Sequence, residues 1–196
     1  MKSKTITKKI VSGKFKNKIL KLPSKSTTRT SKAIVLESFF NTIQFEIIDA
    51  TFVELFSGSG SIGLEALSRG AKRIIFMERD HDALKILREN IAQTDPSLCE
   101  VYSGDTFVNI KNVVKLLQRS GEAAYFYIDP PFSIREGMED IYDKMIDMIA
   151  SLPKECVKLI IIEHMSTLAI PNEIGVFSIK KSKKFGNTAL TYFENE

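Results

Sequence analysis

Apolar and polar residues change their period along this chain, and the changes mark out its elements. Residues 51–55, 73–78, 99–103, 124–128 and 157–163 form short apolar runs rich in β-branched and aromatic side chains, the pattern of strands buried on both faces. Between them, residues 61–69, 80–93, 106–118 and 136–150 carry apolar positions at helical spacing. Asp80 and Asp105 stand where N-terminal caps or first-turn acids belong. This alternation of strand and helix predicts a parallel sheet covered by helices on both sides. The end of the chain breaks the pattern. Strands at 175–179 and 189–193 flank a lysine-rich stretch, 180–187, with no helix between, which predicts a hairpin that adds an antiparallel strand.

The start of the chain differs again. Residues 5–11 and 17–22 run apolar around Ser12-Gly13-Lys14 and predict a β-hairpin, with Ile6, Ile10, Val11, Phe15, Ile19, Leu20 and Leu22 to pack it. A Ser/Thr-rich connection follows from Pro23 to Ser31. Ile34, Val35, Phe39, Phe40 and Ile43 then form a helical stripe over 32–43, starting at a Ser31 cap. The division this predicts is a basic hairpin extension, residues 1–30, on a single α/β domain, residues 31–196.

Composition narrows the class. The chain has 196 residues, 43% of them hydrophobic, enough for one sizeable core. No apolar run approaches the roughly 20 residues of a membrane helix. The basic N-terminus is not followed by the apolar segment of a secretory signal. Cys99 and Cys156 lie far apart in strand-like surroundings and read as small buried hydrophobes. With His81 and His164 they offer no closely spaced ligand pair, so no metal site is expected. These features predict a cytoplasmic, monomeric protein without a membrane partner.

Charge is unevenly spread. Residues 1–32 hold eleven Lys or Arg and no Asp or Glu, while the remainder has seventeen basic residues against 24 acidic ones. A second basic cluster, Lys180, Lys181, Lys183 and Lys184, lies near the C-terminus. Separated basic segments suit a phosphate backbone. A solvated, solubilising arm is the competing reading of the lysine-rich terminus.

Two motifs carry the chemistry. Gly58-Ser59-Gly60-Ser61-Ile62-Gly63 satisfies G-x-G-x-x-G between a strand and a helix, and Glu78 ends the next strand twenty residues after Gly58. Glycines let the backbone approach a ligand, and a carboxylate at that strand end accepts ribose hydroxyls. The same logic serves NAD, so an oxidoreductase is a competing reading. Two features favour S-adenosylmethionine. Glu54 places an acid inside the end of the first strand, where it can face the cofactor's ammonium group. The second motif, Asp129-Pro130-Pro131-Phe132 after the strand Tyr125–Ile128, has no use in hydride transfer. Asp105 serves either to accept from the adenine amino group or simply to cap its helix. The cofactor assignment is thus Glu54, Phe56, Ser57, Gly58, Ser59, Gly60, Gly63, Glu78, Arg79, Asp105, Thr106 and Asp129.

The second motif fits a flat base bearing an exocyclic amine. Prolines fix φ and hold the preceding residue extended, so the Asp129 carboxylate and the Pro130 carbonyl can point at one spot. The lone pair of an exocyclic amine is delocalised into the ring. Two acceptors gripping its hydrogens draw the nitrogen towards a pyramidal shape and free that pair. Phe132 can stack on the base. Asp129, Pro130, Pro131 and Phe132 are the candidate catalytic set. A base inside a duplex cannot enter such a pocket, so the substrate is single-stranded or flipped out. Lys14, Lys16 and Lys18 on the hairpin, with Arg29 and Lys32 at its join to the body, would hold the flanking backbone. DNA adenine-N6 or cytosine-N4 methylation uses the same tetrapeptide, but enzymes of that type usually need an extra recognition domain, for which 196 residues leave little room. A non-catalytic RNA-binding protein on a methyltransferase fold would not need the acids and glycines together.

These residues resemble the RsmD-type bacterial methyltransferases, which methylate guanine N2 in 16S ribosomal RNA. The likeness covers Lys9–Gly13 and Lys18–Leu20 in the opening hairpin, Thr28–Ser31, Glu37–Asn41, Gly63–Ala71, Asp129–Phe132, Ile162–His164 and Phe185–Leu190. The resemblance implies a Rossmann-like class I fold with a seven-strand, mostly parallel sheet. It also implies S-adenosylmethionine as cofactor and a guanine in 16S rRNA on an assembled small subunit as substrate. Asp129 and the Pro130 carbonyl become the amine-binding pair, with Phe132 stacking. One stretch departs from the family: Ala33, Ile34 and Leu36 replace an Asp and two Arg, so the resemblance does not carry RNA docking along that segment.

Overall fold

The computed structural model describes residues 6–23, 29–131 and 140–195. The elements run β1 (Ile6–Lys9), β2 (Ile19–Leu22), α1 (Arg29–Thr42), β3 (Thr51–Leu55), α2 (Ser61–Ser68), β4 (Arg73–Glu78), α3 (His81–Ile91), β5 (Cys99–Ser103) and α4 (Thr106–Ser120). They continue with β6 (Ala124–Ile128), α5 (Ile141–Ala150), β7 (Val157–Met165), β8 (Glu173–Ile174), β9 (Phe177–Phe185) and β10 (Thr188–Asn195). The main sheet has the order β5-β4-β3-β6-β7-β10-β9-β8. Its first five strands are parallel, and β10 enters antiparallel between β7 and β9. This is the expected seven-strand sheet with a two-residue strand, β8, added beside Phe177 and Ser178.

The central strands are apolar throughout because each face meets helices. Alternate residues part cleanly between two cores. Phe52, Phe76, Tyr125, Tyr127 and Ile161 face the side of α1, α2 and α3. Val53, Leu55, Ile75, Phe126, Ile128 and Ile160 face the side of α4 and α5. A one-residue slip in any of these strands would exchange its two faces. The hairpin β1–β2 joins the first core: Ile10 and Leu20 are both 1% exposed and cluster with Phe39, Phe40 and Leu64.

Three boundaries differ from the sequence reading. First, α1 begins at Arg29, so Ser31 lies inside the helix and does not cap it. Second, β9 continues through the lysines to Phe185, and only Gly186-Asn187 turns the chain, with φ of 62° at Gly186. Beyond Phe177 and Ser178 the outer side of β9 has no partner strand among the described residues. Lysines suit such an edge because their charge blocks pairing with another chain. Third, only Ile6–Lys9 and Ile19–Leu22 pair in the N-terminal hairpin. Residues 10–18 form a loop whose amides turn to α2. The first part of the expected helix 136–150, residues 136–139, lies outside the described residues.

Candidate active site

All five parallel strands end on one edge of the sheet, and the glycine loop, Glu78, Asp105 and Asp129 stand there. The strand order reverses direction between β3 and β6, the point at which open α/β sheets bind ligands beyond their carboxyl ends. Leu55 and Ile128 are partners in register, so the glycine loop and Asp129 leave the sheet side by side.

The glycine loop is held from beneath. The Ser57 hydroxyl donates to the Glu54 carbonyl at 2.8 Å, and the Met77 amide donates back to Ser57 Oγ at 3.0 Å. Ser57 therefore turns inward and shapes the loop through its backbone. Phe56 has φ of 56°, uncommon for a residue with a side chain, and its ring meets Phe107 edge-on at 5.8 Å. Gly58 has φ of 54°, and a Cβ there would meet nothing within 4 Å. The loop thus leaves open space above Gly58 for a ligand. Gly60 has φ of 73°, and a Cβ on it would lie 2.3 Å from Leu87 Cδ1. Gly63 lets α2 lie against the sheet: its Cβ would meet Phe76 at 2.6 Å and Glu54 Oε2 at 2.8 Å.

Glu78, Glu54 and Asp105 line this edge together with Asp129. Glu78 accepts from the amides of Gly58 (2.6 Å), Arg79 (2.8 Å) and Asp80 (2.8 Å), tying the glycine loop to the turn after β4. A carboxylate has about four lone-pair positions, so Glu78, with three amides bound, keeps about one for a ribose hydroxyl. Glu54 is 4% exposed and accepts the Gly63 amide at 2.7 Å, at the N-terminus of α2. Burial pushes its carboxyl up to about 8, against the pull of the Gly63 and Ile62 amides and the Lys8 charge. The nearby Asp129 charge raises it further. Asp105 caps α4: its Oδ1 accepts from Phe107 at 2.7 Å and Val108 at 3.3 Å. Both roles considered for Asp105 stay compatible, since both amides bind one oxygen. Thr106 is buried in the first turn of α4, and Arg79 is exposed.

Asp129 and Pro131 are partly exposed, while Pro130 is buried. Phe132 lies outside the described residues. Around Asp129 stand groups the sequence reading did not assign. Tyr127 donates to Glu163 at 2.6 Å, beneath the end of β6. Burial holds that phenol well above its usual range, and the charges of Glu163 and Asp129 add to the effect. The Tyr142 hydroxyl, also within the influence of the Asp129 charge, has no hydrogen-bond partner among the described residues. His164, at the end of β7, is 5% exposed. Its Nδ1 lies 2.9 Å from the Met165 carbonyl and its Nε2 2.8 Å from Thr191 Oγ1. A carbonyl only accepts, so Nδ1 carries the proton and Nε2 accepts from Thr191. Burial lowers the His164 pKa, against the opposing effect of the Met165 carbonyl.

The basic hairpin lies along α2. Near its open end Lys8 Nζ is 3.4 Å from Ser61 Oγ, at the start of α2. At its closed end the Lys14 amide donates to the Ser68 carbonyl at 2.7 Å. Seven helical residues separate these points, about 10 Å. Lys14, Lys16 and Lys18 are exposed at the end away from the glycine loop. Lys14 lies 3.8 Å from Asp95. The side chains of Arg29 and Lys32 lie outside the described residues. Sequence reasoning missed three residues that join the hairpin to the site. Glu65, 1% exposed, accepts from the amides of Val11 (2.7 Å) and Ser12 (3.1 Å). Ser68 accepts from Phe15 at 2.9 Å. Asn90, fully buried, reaches both β2 and the glycine loop. Each is a polar residue inside a helical pattern, and the only signal was that it interrupts an apolar stripe.

Comparison with known proteins places this architecture. YlbH of Bacillus subtilis is 27% identical over 187 residues, covering 95% of this chain and 98% of that protein. Ribosomal RNA small subunit methyltransferase D of Escherichia coli K12 is 27% identical over 188 residues, covering 96% and 90%. The solved structure of the Escherichia coli protein yhhF superimposes with a TM-score of 0.75 at 25% identity, covering 97% and 99%. The family model described as conserved hypothetical protein 95 matches residues 8–194. With residues 8–194 matched, the chain belongs to this family, the RsmD-type methyltransferases that its motifs resemble.

Proposed function

We propose that this chain methylates the exocyclic N2 of a guanine in 16S ribosomal RNA, presented on an assembled small subunit. The observation that carries the reading is the placement of Asp129-Pro130 beside the glycine loop, across the switch point of the sheet. The name of the Escherichia coli relative supports a ribosomal RNA substrate. S-adenosylmethionine fits the residues present and supplies an electrophilic methyl carbon. Glu78 would hold a ribose hydroxyl, the space over Gly58 its backbone-facing edge, and Glu54 its amino group. Asp105 and Thr106 would border the adenine, and Phe56 and Arg79 the mouth.

Asp129 and the Pro130 carbonyl accept the two amine hydrogens and orient the nitrogen towards the methyl carbon. Alignment supplies much of the rate. Asp129 receives the proton released after transfer. Pro131 fixes the turn, and Phe132 stacks on the base. Residues 1–30 act as an extension that holds backbone flanking the target, with Lys14, Lys16 and Lys18 some distance from the reacting base. Arg29 and Lys32 join that surface to the body. The protein acts as a monomer in the cytoplasm.

Substitution of Asp129 tests the mechanism. Asp129→Ala lowers methyl transfer by roughly 100-fold or more while cofactor affinity stays near that of the parent. Loss of both together would make Asp129 chiefly a cofactor-holding or structural residue and contradict its role in gripping the amine.

A further inference from the structure

We infer that Asn90 is a positioning residue that couples the RNA-holding hairpin to the cofactor loop, so that RNA and cofactor strengthen each other's binding. The inference rests on the proposed function for the identity of the two ligands. Its basis is one buried amide that makes three hydrogen bonds. Asn90 is fully buried on α3. Its Oδ1 accepts the Lys21 amide at 2.9 Å, and its Nδ2 donates to the Lys21 carbonyl at 2.9 Å. The side chain thus pairs with β2 as a neighbouring strand would. The same Nδ2 donates to the Ser59 carbonyl, also at 2.9 Å. Ser59 sits between Gly58 and Gly60, whose positive φ angles set the shape of the loop.

The other hairpin contacts act on the same element. Lys8 meets Ser61, Val11 and Ser12 donate to Glu65, and Phe15 donates to Ser68, so the hairpin grips α2 at its start, middle and end. The start of α2 supplies the amide that binds Glu54. A Cβ on Gly13 would come within 1.7 Å of the Ser68 carbonyl, so the hairpin loop lies directly against the helix end. When the hairpin loosens, Asn90 loses both Lys21 partners, and the Ser59 carbonyl loses a fixed donor. Phosphates held by the hairpin lysines favour the docked state, and the docked state presents the glycine loop in its ligand-ready shape. Linkage makes the effect reciprocal: the cofactor must raise RNA affinity by the same factor.

The test measures affinity for S-adenosylhomocysteine by calorimetry, with and without small subunits from a strain lacking this protein. In the parent chain the subunits should tighten binding by about 5-fold or more. In Asn90→Ala that ratio should fall towards one, with cofactor affinity alone weakened by about 5- to 10-fold. A purely structural role would lower the melting temperature of Asn90→Ala and leave the ratio unchanged, which overturns the inference. If Asn90→Ala does not fold, hydrogen exchange on the parent chain decides. Added subunits should slow exchange at residues 58–63, and unchanged exchange there with subunits bound overturns the coupling. Subunits that fail to bind the parent chain at all would instead contradict the substrate reading.

Discussion

Glu54 makes the sharpest residue-scale prediction because its environment and its proposed task oppose each other. Burial raises its carboxyl from the usual carboxylate range to about 8, so the folded protein without ligand holds it protonated at neutral pH. The native state then binds more protons than the unfolded chain between pH 4.5 and about 8. Stability contributed by this group is complete below that window and is lost as pH rises through it. Glu54→Gln imitates the neutral form, so chemical denaturation should show a flatter stability-versus-pH profile for the variant across the window; matching profiles would contradict the buried acid. A cofactor ammonium favours the ionised form. Binding near pH 7 should therefore release a proton from the parent and not from Glu54→Gln, seen as a dependence of binding heat on buffer ionisation enthalpy. At this scale the spacing of Gly58, Gly60, Gly63, Glu78 and Asp129 was legible because strand ends and turns expose their chemistry in the sequence. Asn90 and Glu65 were not, since a buried polar residue on a helix reads like a solvated one until its partner from another segment is known.

At the scale of elements, α2 is where hairpin, sheet and cofactor loop meet. Gly63 permits its close approach to β3 and β4, and Gly63→Ala forces a Cβ against Phe76, Ile74 and Glu54. The expected loss is roughly 1–3 kcal/mol of stability by denaturant titration, together with weaker cofactor binding. Unchanged stability would mean that the helix can shift freely. Glu65 satisfies two hairpin amides and the Arg69 guanidinium from a buried position. Glu65→Ala should cost about 2–4 kcal/mol and make residues 10–18 sensitive to limited proteolysis. A protected hairpin in that variant would show that apolar contacts alone hold it. The central parallel strands β3, β4, β6 and β7 were readable as apolar runs because both their faces are buried, whereas the edge strand β5 is only half-buried. The extent of β9 was not, because lysines at an unpaired edge hide the strand period, and the start of α1 was misjudged because Ser31 imitates a cap inside the helix.

The whole molecule divides its charge between a basic hairpin and an acidic body, and that asymmetry is itself testable. Deleting the hairpin would remove Ile10 and Leu20 from the main core, so substitution is the cleaner experiment. Replacing Lys14, Lys16 and Lys18 by Gln should reduce the slope of log affinity against log salt for RNA by roughly 2. An unchanged slope would assign RNA contact to other surfaces. The class of fold was legible from the alternation of strand and helix, whereas the seating of the hairpin along α2 depends on contacts between residues more than fifty positions apart. The most direct test of the central claim is methyl transfer from radiolabelled S-adenosylmethionine to small ribosomal subunits and to genomic DNA, both from a strain lacking this protein, followed by nucleoside analysis. Label in N2-methylguanosine from the subunits is the predicted result. Label in N6-methyladenine or N4-methylcytosine from the DNA, or no label in either despite cofactor binding, would contradict it.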